Sequence, residues 1–306
     1  MGGCSQGALS RLAFDADSTF DASSNPIDFI YETVGKQQRV VGGNGMMGTR
    51  SESVERARNG CYLISGRIGL QPGGVDYDHL LPRILGAAEV ADVFSLAEAL
   101  PSYSILIDKV GSIFRFDGCK TNRAILRGTA GTGDEDQELV DLILEVMGQT
   151  ETGGASWAGT IPALSTATNR APYTFYEGTF KVDSVSYEIK QFALVIDNML
   201  QPRWVNSVTP TQICPRGRKV TLITDNPFTS TEFAALYANA NAIAGMSGEL
   251  KFTNGNMSAT ITMPGLQWAD QTPFVKGKTE IPLALEFSVR KKGTTPELTW
   301  TNDSTA

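Results

Sequence analysis

The chain has 306 residues, a formal charge of −7 and 41% hydrophobic residues, enough for one large or two ordinary domains with a real core. That composition excludes a disordered chain, and the acid excess speaks against a protein that holds DNA tightly through its phosphates. A single histidine and four widely spaced cysteines without a CxxC pair exclude a multi-histidine metal site and point to reduced thiols.

No apolar run approaches the roughly 18–20 residues of a spanning helix, so no membrane contact is expected. Arg11, Asp15 and Asp17 interrupt any signal-peptide core. Met1-Gly2 opens a myristoylation pattern that fails at Gln6, where Ser or Thr is required. Residues 1–26, rich in Gly, Ser and Asp and ending at Asn25-Pro26, are expected to form a flexible arm. A strand is expected between Phe29 and Val41, followed by a long loop or hairpin tip from Gly42 to Arg58.

From Asn59 to Gly86 the pattern changes twice. Tyr62, Ile64, Ile68 and Leu70 fall at even spacing, as one face of a strand. After Pro72-Gly73-Gly74 the apolar residues Leu80, Leu81, Ile84 and Leu85 take helical spacing, and Gly86 is placed to stop the helix. Val90 to Leu100 reads as a short helix or a loop. Strands are expected over Ser102–Val110, Ser112–Phe116 and Lys120–Arg127. After an acidic loop, Glu138 to Met147 alternates strictly, with Val140, Leu142, Leu144 and Val146 on one face. This predicts a strand over a helix. Gly148 to Pro172 is small and polar, a linker.

The second half replays the first. Strands are expected within Tyr173–Tyr187 and Ile189–Met199, then a Pro-punctuated excursion from Gln201 to Arg218. Lys219–Thr224 reads as a strand, Asp225-Asn226-Pro227 as a turn, and Thr231–Ile243 as a helix. A hairpin follows, turning at Asn254-Gly255, as the earlier one turns near Val110-Gly111. Phe114–Gly118 corresponds to Ile261–Gly265, and the closing strand Glu280–Val289 to Glu138–Met147, with Glu145 aligned on Glu286. The expected fold is mainly β with minor α: two tandem duplicated β-sandwich domains, each with a flanking helix. The expected division is an arm over 1–26, a first domain over 27–150, a linker over 151–172 and a second domain over 173–306.

Motif by motif, catalysis finds no footing. Gly43-Asn44-Gly45-Met46-Met47-Gly48 matches GxGxxG, but it lacks the strand–helix setting of a dinucleotide site and reads as a loop. Asp134, Glu135, Asp136 and Glu138 lack the spacing of a calcium loop. His79, beside Asp76 and Asp78, sits where carboxylates serve a helix N-terminus. No cofactor, metal site or enzymatic activity is expected. Trp157, Trp204, Trp268 and Trp300 stand on separate segments, unlike the clustered aromatics of a carbohydrate-binding β-sandwich, the alternative from another class. Asp141, Glu145, Glu280 and Glu286 share the non-core faces of the two closing strands. On an ordinary surface they are a solvated face; along a channel they form an acidic lining that lets a polyanion slide.

Several phrases in order, ERARNGCYLISGRIGLQP, DHLLPRILG, ILIDKVGSIFRFDGCKTNRA, FALVIDNMLQPRWVNS and GKTEIPLALEF, resemble the tail tube proteins of long-tailed bacteriophages. The chain is about twice the length that one tube domain needs. The resemblance implies a structural virion protein, assembled in the host cytoplasm, whose β-sandwiches join edge to edge into rings. The rings stack into a tube that holds the tape measure protein and then conducts double-stranded DNA. Tail terminator and distal tail proteins are the implied partners at its ends. Family rings carry six tube domains, so a duplicated chain implies a trimer with pseudo-sixfold symmetry. Stacking is expected at the loops 42–58 and 201–216, including Gly43, Met46, Arg50, Arg203, Trp204 and Arg216. The inner tube of a contractile tail or a secretion system is the near alternative.

Overall fold

The computed structural model describes residues 7–17, 25–42, 51, 54–131, 138–153, 161, 164, 170–228, 234, 236, 245–268, 275 and 281–304. Its first half runs β1 (Arg11–Ala16), β2 (Asn25–Ile27), β3 (Tyr31–Glu32), β4 (Gly35–Val41), β5 (Arg58–Leu70), α1 (Gly74–Leu85), β6 (Val93–Ser95), β7 (Tyr103–Asp108), β8 (Ile113–Thr129), β9 (Asp141–Gly148) and β10 (Thr150–Gly153). The second runs β11 (Gly178–Val182), β12 (Val185–Tyr187), β13 (Gln191–Asp197), β14 (Leu200–Arg203), β15 (Gln212–Pro215), β16 (Lys219–Pro227), β17 (Met246–Asn254), β18 (Met257–Trp268), β19 (Pro282–Val289) and β20 (Thr299–Asp303). The fold is mainly β, and its described strand pairings are antiparallel.

Local chemistry explains the elements. In β9 the expected face, Val140 (just before the strand), Leu142, Leu144 and Val146, is buried, and Asp141, Ile143 and Glu145 alternate on the other side. The Asp76 carboxylate reaches back to accept from the Gly73 N–H at 3.1 Å, satisfying one orphan donor at the start of α1. Gly86 ends the helix at φ 96° with its N–H bonded to the Pro82 carbonyl. The β7–β8 hairpin turns through Val110 and Gly111, both at positive φ (57° and 87°), as a type I′ turn requires.

Several expectations need correction. Residues 11–16, read as part of a free arm, form β1. It pairs with β7 along its whole length and buries Leu12, Ala13 and Phe14, apolar residues that the polar flanks had masked. The strands expected at 112–116 and 120–127 are one long strand, β8. Gly118, at φ 63°, irregularly passes it from β7 to β9. Val90–Leu100, read as a short helix or a loop, is a loop that holds the short strand β6. The start of the linker is β10, paired with β8, and Pro172 bridges to Gly73. Asp225-Asn226-Pro227 is no turn but the end of β16, whose side of the sheet buries Thr224 and Asn226 as a hydrogen-bonded pair at 2.7 Å. The second hairpin turns one residue later than read, at Gly255-Asn256, with Gly255 at φ 59° in the first central position. Of the helix expected over 231–243, Ala234 and Leu236 are helical and the rest lies outside the described residues.

The pairing order repeats. β5 pairs with β9, β9 with β8, and β8 with both β7 and β10. Likewise β16 pairs with β19, β19 with β18, and β18 with both β17 and β20. β1 flanks β7 as β11 flanks β17, and β4 flanks β5 as β13 flanks β16. Between the halves, Arg123–Thr129 of β8 pair with Gln191–Asp197 of β13. One sheet therefore runs β4–β5–β9–β8–β13–β16–β19–β18.

Packing also ignores the midpoint of the chain. A single apolar cluster joins Ile64, Leu80 and Leu144 to Leu222, Ile261 and Phe287. Tyr77 of α1 lies 5.0 Å, ring to ring, from Trp300 of β20. Asn302 donates to the Gly74 carbonyl at 2.8 Å, so the first-half helix is held by the last strand. Arg170 donates to Asp76 at 2.7 Å and to the Pro26 carbonyl at 3.0 Å, and thereby ties the end of the linker to the start of α1.

Candidate functional site

The sheet has two faces of opposite character. One buries alternate residues against α1 and the second layer of strands. The other carries the remaining residues, and cross-strand register arranges these in rows. One row reads Arg67, Glu145, Arg123, Asp197, Lys219. The next reads Ile143, Ile125, Val195, Thr221, Ser288. A third reads Asp141, Arg127, Ala193, Ile223, Glu286.

Three of the four sequence-predicted carboxylates therefore stand on this face: Asp141, Glu145 and Glu286. Glu280 lies outside the described residues. The face is not a bare acidic wall. Glu145 is 2.7 Å from the Arg67 guanidinium. Asp141 accepts on Oδ2 from Arg127 through both Nε at 3.1 Å and Nη2 at 2.9 Å, and on Oδ1 from Gln71 at 3.1 Å. Sequence reasoning missed Arg67, Arg123, Arg127, Asp197 and Lys219. The signal was available in part, since Arg123 and Arg127 alternate with buried Ala124 and Leu126 in β8. What the sequence withheld was which strand stands beside which.

At one end of the sheet β4 pairs with β5 and, among the described residues, with no strand on its other side, so it presents an open edge. All of Lys36–Val41 is exposed, Val40 at 71%, so unpaired backbone donors and acceptors face outward. β14 and β15 form a separate hairpin that follows β13 and precedes β16. Of the predicted stacking residues, Arg203, Trp204 and Arg216 are exposed on or beside it; Gly43, Met46 and Arg50 lie outside the described residues. The hairpin loop packs back on β5: the Tyr62 backbone N–H donates to the Val208 carbonyl at 2.9 Å, and the Trp204 indole to the Tyr62 carbonyl at 3.4 Å. Trp204, Val205 and Val208 stay largely exposed. A cavity of about 700 Å³ opens between Trp204 and the β4–β5 ribbon.

Buried titratable groups are structural in their settings. Burial lowers the His79 pKa, with the Arg83 charge adding to it. Burial pushes the Tyr173 hydroxyl up to about 12. Burial also raises Asp76 above its ordinary value, against the pull of the Gly73 N–H and Arg170. Among the described residues no His, Cys, Asp and Glu cluster could hold a metal ion. The GxGxxG stretch lies outside the described residues, and no described helix is long and apolar enough to cross a membrane.

A continuous antiparallel sheet with an exposed edge strand, a patterned outer face and a repeated pairing scheme defines a β-structural protein whose surfaces suit self-association. The profile of a family described as phage tail tube protein matches residues 7–289. The chain belongs to the phage tail tube protein family. Membership carries a structural role in the tail tube, self-assembly into that tube and a place in the virion. Among curated proteins no match is found.

Proposed function

We propose that the chain is a duplicated tube protein that closes as a trimeric, pseudo-sixfold ring, and that stacked rings form the conduit of a long non-contractile tail. The single observation that carries this reading is the internal junction of β8 with β13. It joins the last strand of one four-strand run to the first strand of the next, edge to edge. The same join made between copies leads from the β18 end of the sheet in one chain to the β4 edge of another. Ring closure then consumes an edge that is otherwise an aggregation hazard, and a rotation that closes gives a finite ring.

The repeated pairing order supports an internal duplication, with repeats drawn at about β1–β10 and β11–β20 in place of a separate arm and a second domain starting at 173. On this reading the charged sheet face, with Asp141, Glu145, Glu286 and, from its sequence position, Glu280, lines the lumen. The tape measure protein occupies that lumen during assembly in the host cytoplasm, and double-stranded DNA passes through it at ejection. The exposed hairpin tips, with Arg203, Trp204 and Arg216 and the equivalent loop holding Gly43, Met46 and Arg50, make the ring-to-ring contacts, and terminator and distal tail proteins cap the ends. Neither cofactor nor catalysis is part of the mechanism.

Negative-stain microscopy with native mass spectrometry of the purified chain tests this. Rings or tubes built on a trimeric unit are expected. Hexameric rings of whole chains overturn the duplication, and a chain that stays monomeric at high concentration overturns the tube reading.

A further inference from the structure

The two charged rows of the outer sheet face balance. Arg67, Arg123, Lys219 and Arg127 supply four cations, and Glu145, Asp197, Asp141 and Glu286 four anions. Within the first row the signs alternate strand by strand, so neighbouring charges sit at the strand spacing of about 4.8 Å. That is shorter than the Debye length of about 8–10 Å at physiological salt. A phosphate approaching the row meets each guanidinium together with its neighbouring carboxylate. Between the rows stand Ile143, Ile125 and Val195, which offer phosphate nothing.

The masking is local and uneven. Arg67 is 62% exposed, yet its guanidinium is committed to Glu145. Arg123 stands across from Glu145 on one side and Asp197 on the other in strand register; among the described residues it forms no ion pair with either, and its Nε is buried without a hydrogen-bond partner, so the two carboxylates act on it through their charge at strand spacing. Asp197 is itself fixed by accepting from the Met199 N–H at 2.9 Å. A guanidinium is the side chain best matched to phosphate, so arginines on a surface that must release DNA need such neutralisation.

We propose that Glu145 and Asp197 mask Arg67 and Arg123, making this face a zwitterionic surface over which the phosphate backbone of double-stranded DNA moves without being held. This rests on the reading that the face lines the tube. The carboxylates of these rows thus act by cancelling fixed arginines.

The test is a fluorescein-labelled DNA duplex titrated with the full chain at low and moderate salt, followed by anisotropy. The near-isosteric double variant E145Q/D197N is expected to bind at least tenfold more tightly than the unmodified chain. Its salt dependence should steepen by about one in log–log slope for each arginine released. Removing the arginines as well (R67Q/R123Q/E145Q/D197N) should restore weak binding. A folded double variant that binds no more tightly overturns the proposal. If circular dichroism shows that the double variant does not fold, D141N makes the same test by releasing Arg127, which is 54% exposed; unchanged DNA binding there is equally refuting. Microscopy of the same preparations reports on the tube separately: absent rings overturn the tube reading, while the anisotropy of the unassembled chain still decides the masking.

Discussion

Replacing Arg170 with methionine should cost about 3 kcal/mol of stability at pH 8. The Arg170 and Asp76 side chains are 15% and 5% exposed, so solvent screens their pair weakly. The substitution removes the donors to Asp76 and to the Pro26 carbonyl but preserves most of the aliphatic volume. Breaking a buried pair by removing one partner costs about 3–5 kcal/mol. The low end applies because Asp76 keeps the Gly73 N–H and can take up a proton.

That proton gives the prediction a sign. Burial already holds the Asp76 pKa above its unfolded value, and loss of the guanidinium raises it further. A group raised on folding binds more protons in the folded state between its two pKa values, so its contribution to stability falls as pH rises through that window. The R170M penalty should therefore be largest at pH 8 and shrink as pH falls toward the ordinary carboxylate range. Thermal melts of both chains at a series of pH values measure it, with a melting point lower by about 5 °C at pH 8 for a chain of this size. An unchanged melting point at pH 8, or a penalty that grows on acidification, would refute the reasoning.

Three further outcomes follow from the same structure. In G86A the new Cβ would sit 2.6 Å from the Ala99 carbonyl at φ 96°, so a loss of at least about 1 kcal/mol in urea unfolding is expected. Proline at Gln37 or Gln38 of β4 separates folding from assembly, because successive N–H groups of an edge strand alternate between its neighbour and the open side. One of the two variants should fold normally and fail to form rings, while the other loses stability; two variants that both assemble would remove β4 from the ring contact. Thiol labelling of the native chain should modify Cys61, which is exposed, and spare Cys119, which is buried with its pKa raised chiefly by desolvation. Rapid native reaction at Cys119 would contradict the packing around it.

The sequence by itself determined what depends on near neighbours. Two-residue periodicity gave β5 and β9, the internal correspondence with β9 gave β19, and a change of period with Gly86 behind it gave α1. Outward-facing Asp141, Glu145 and Glu286 followed from the same alternation, because a strand has only two faces. Local signals failed where distant partners decide: β1 looked like an arm because three buried residues in a polar stretch carry little periodicity. Asp225–Pro227 looked like a turn because Asn226 is buried only by virtue of bonding Thr224 and the Glu188 carbonyl. Strand adjacency was likewise invisible. That Glu145 lies between Arg67 and Arg123, and that β8 of one half meets β13 of the other, depends on register between strands that are not neighbours in a local sequence window. Period-2 patterning assigns a side chain to a face, but only the folded sheet assigns its neighbours, and those neighbours turn a row of carboxylates into a balanced ladder of charge.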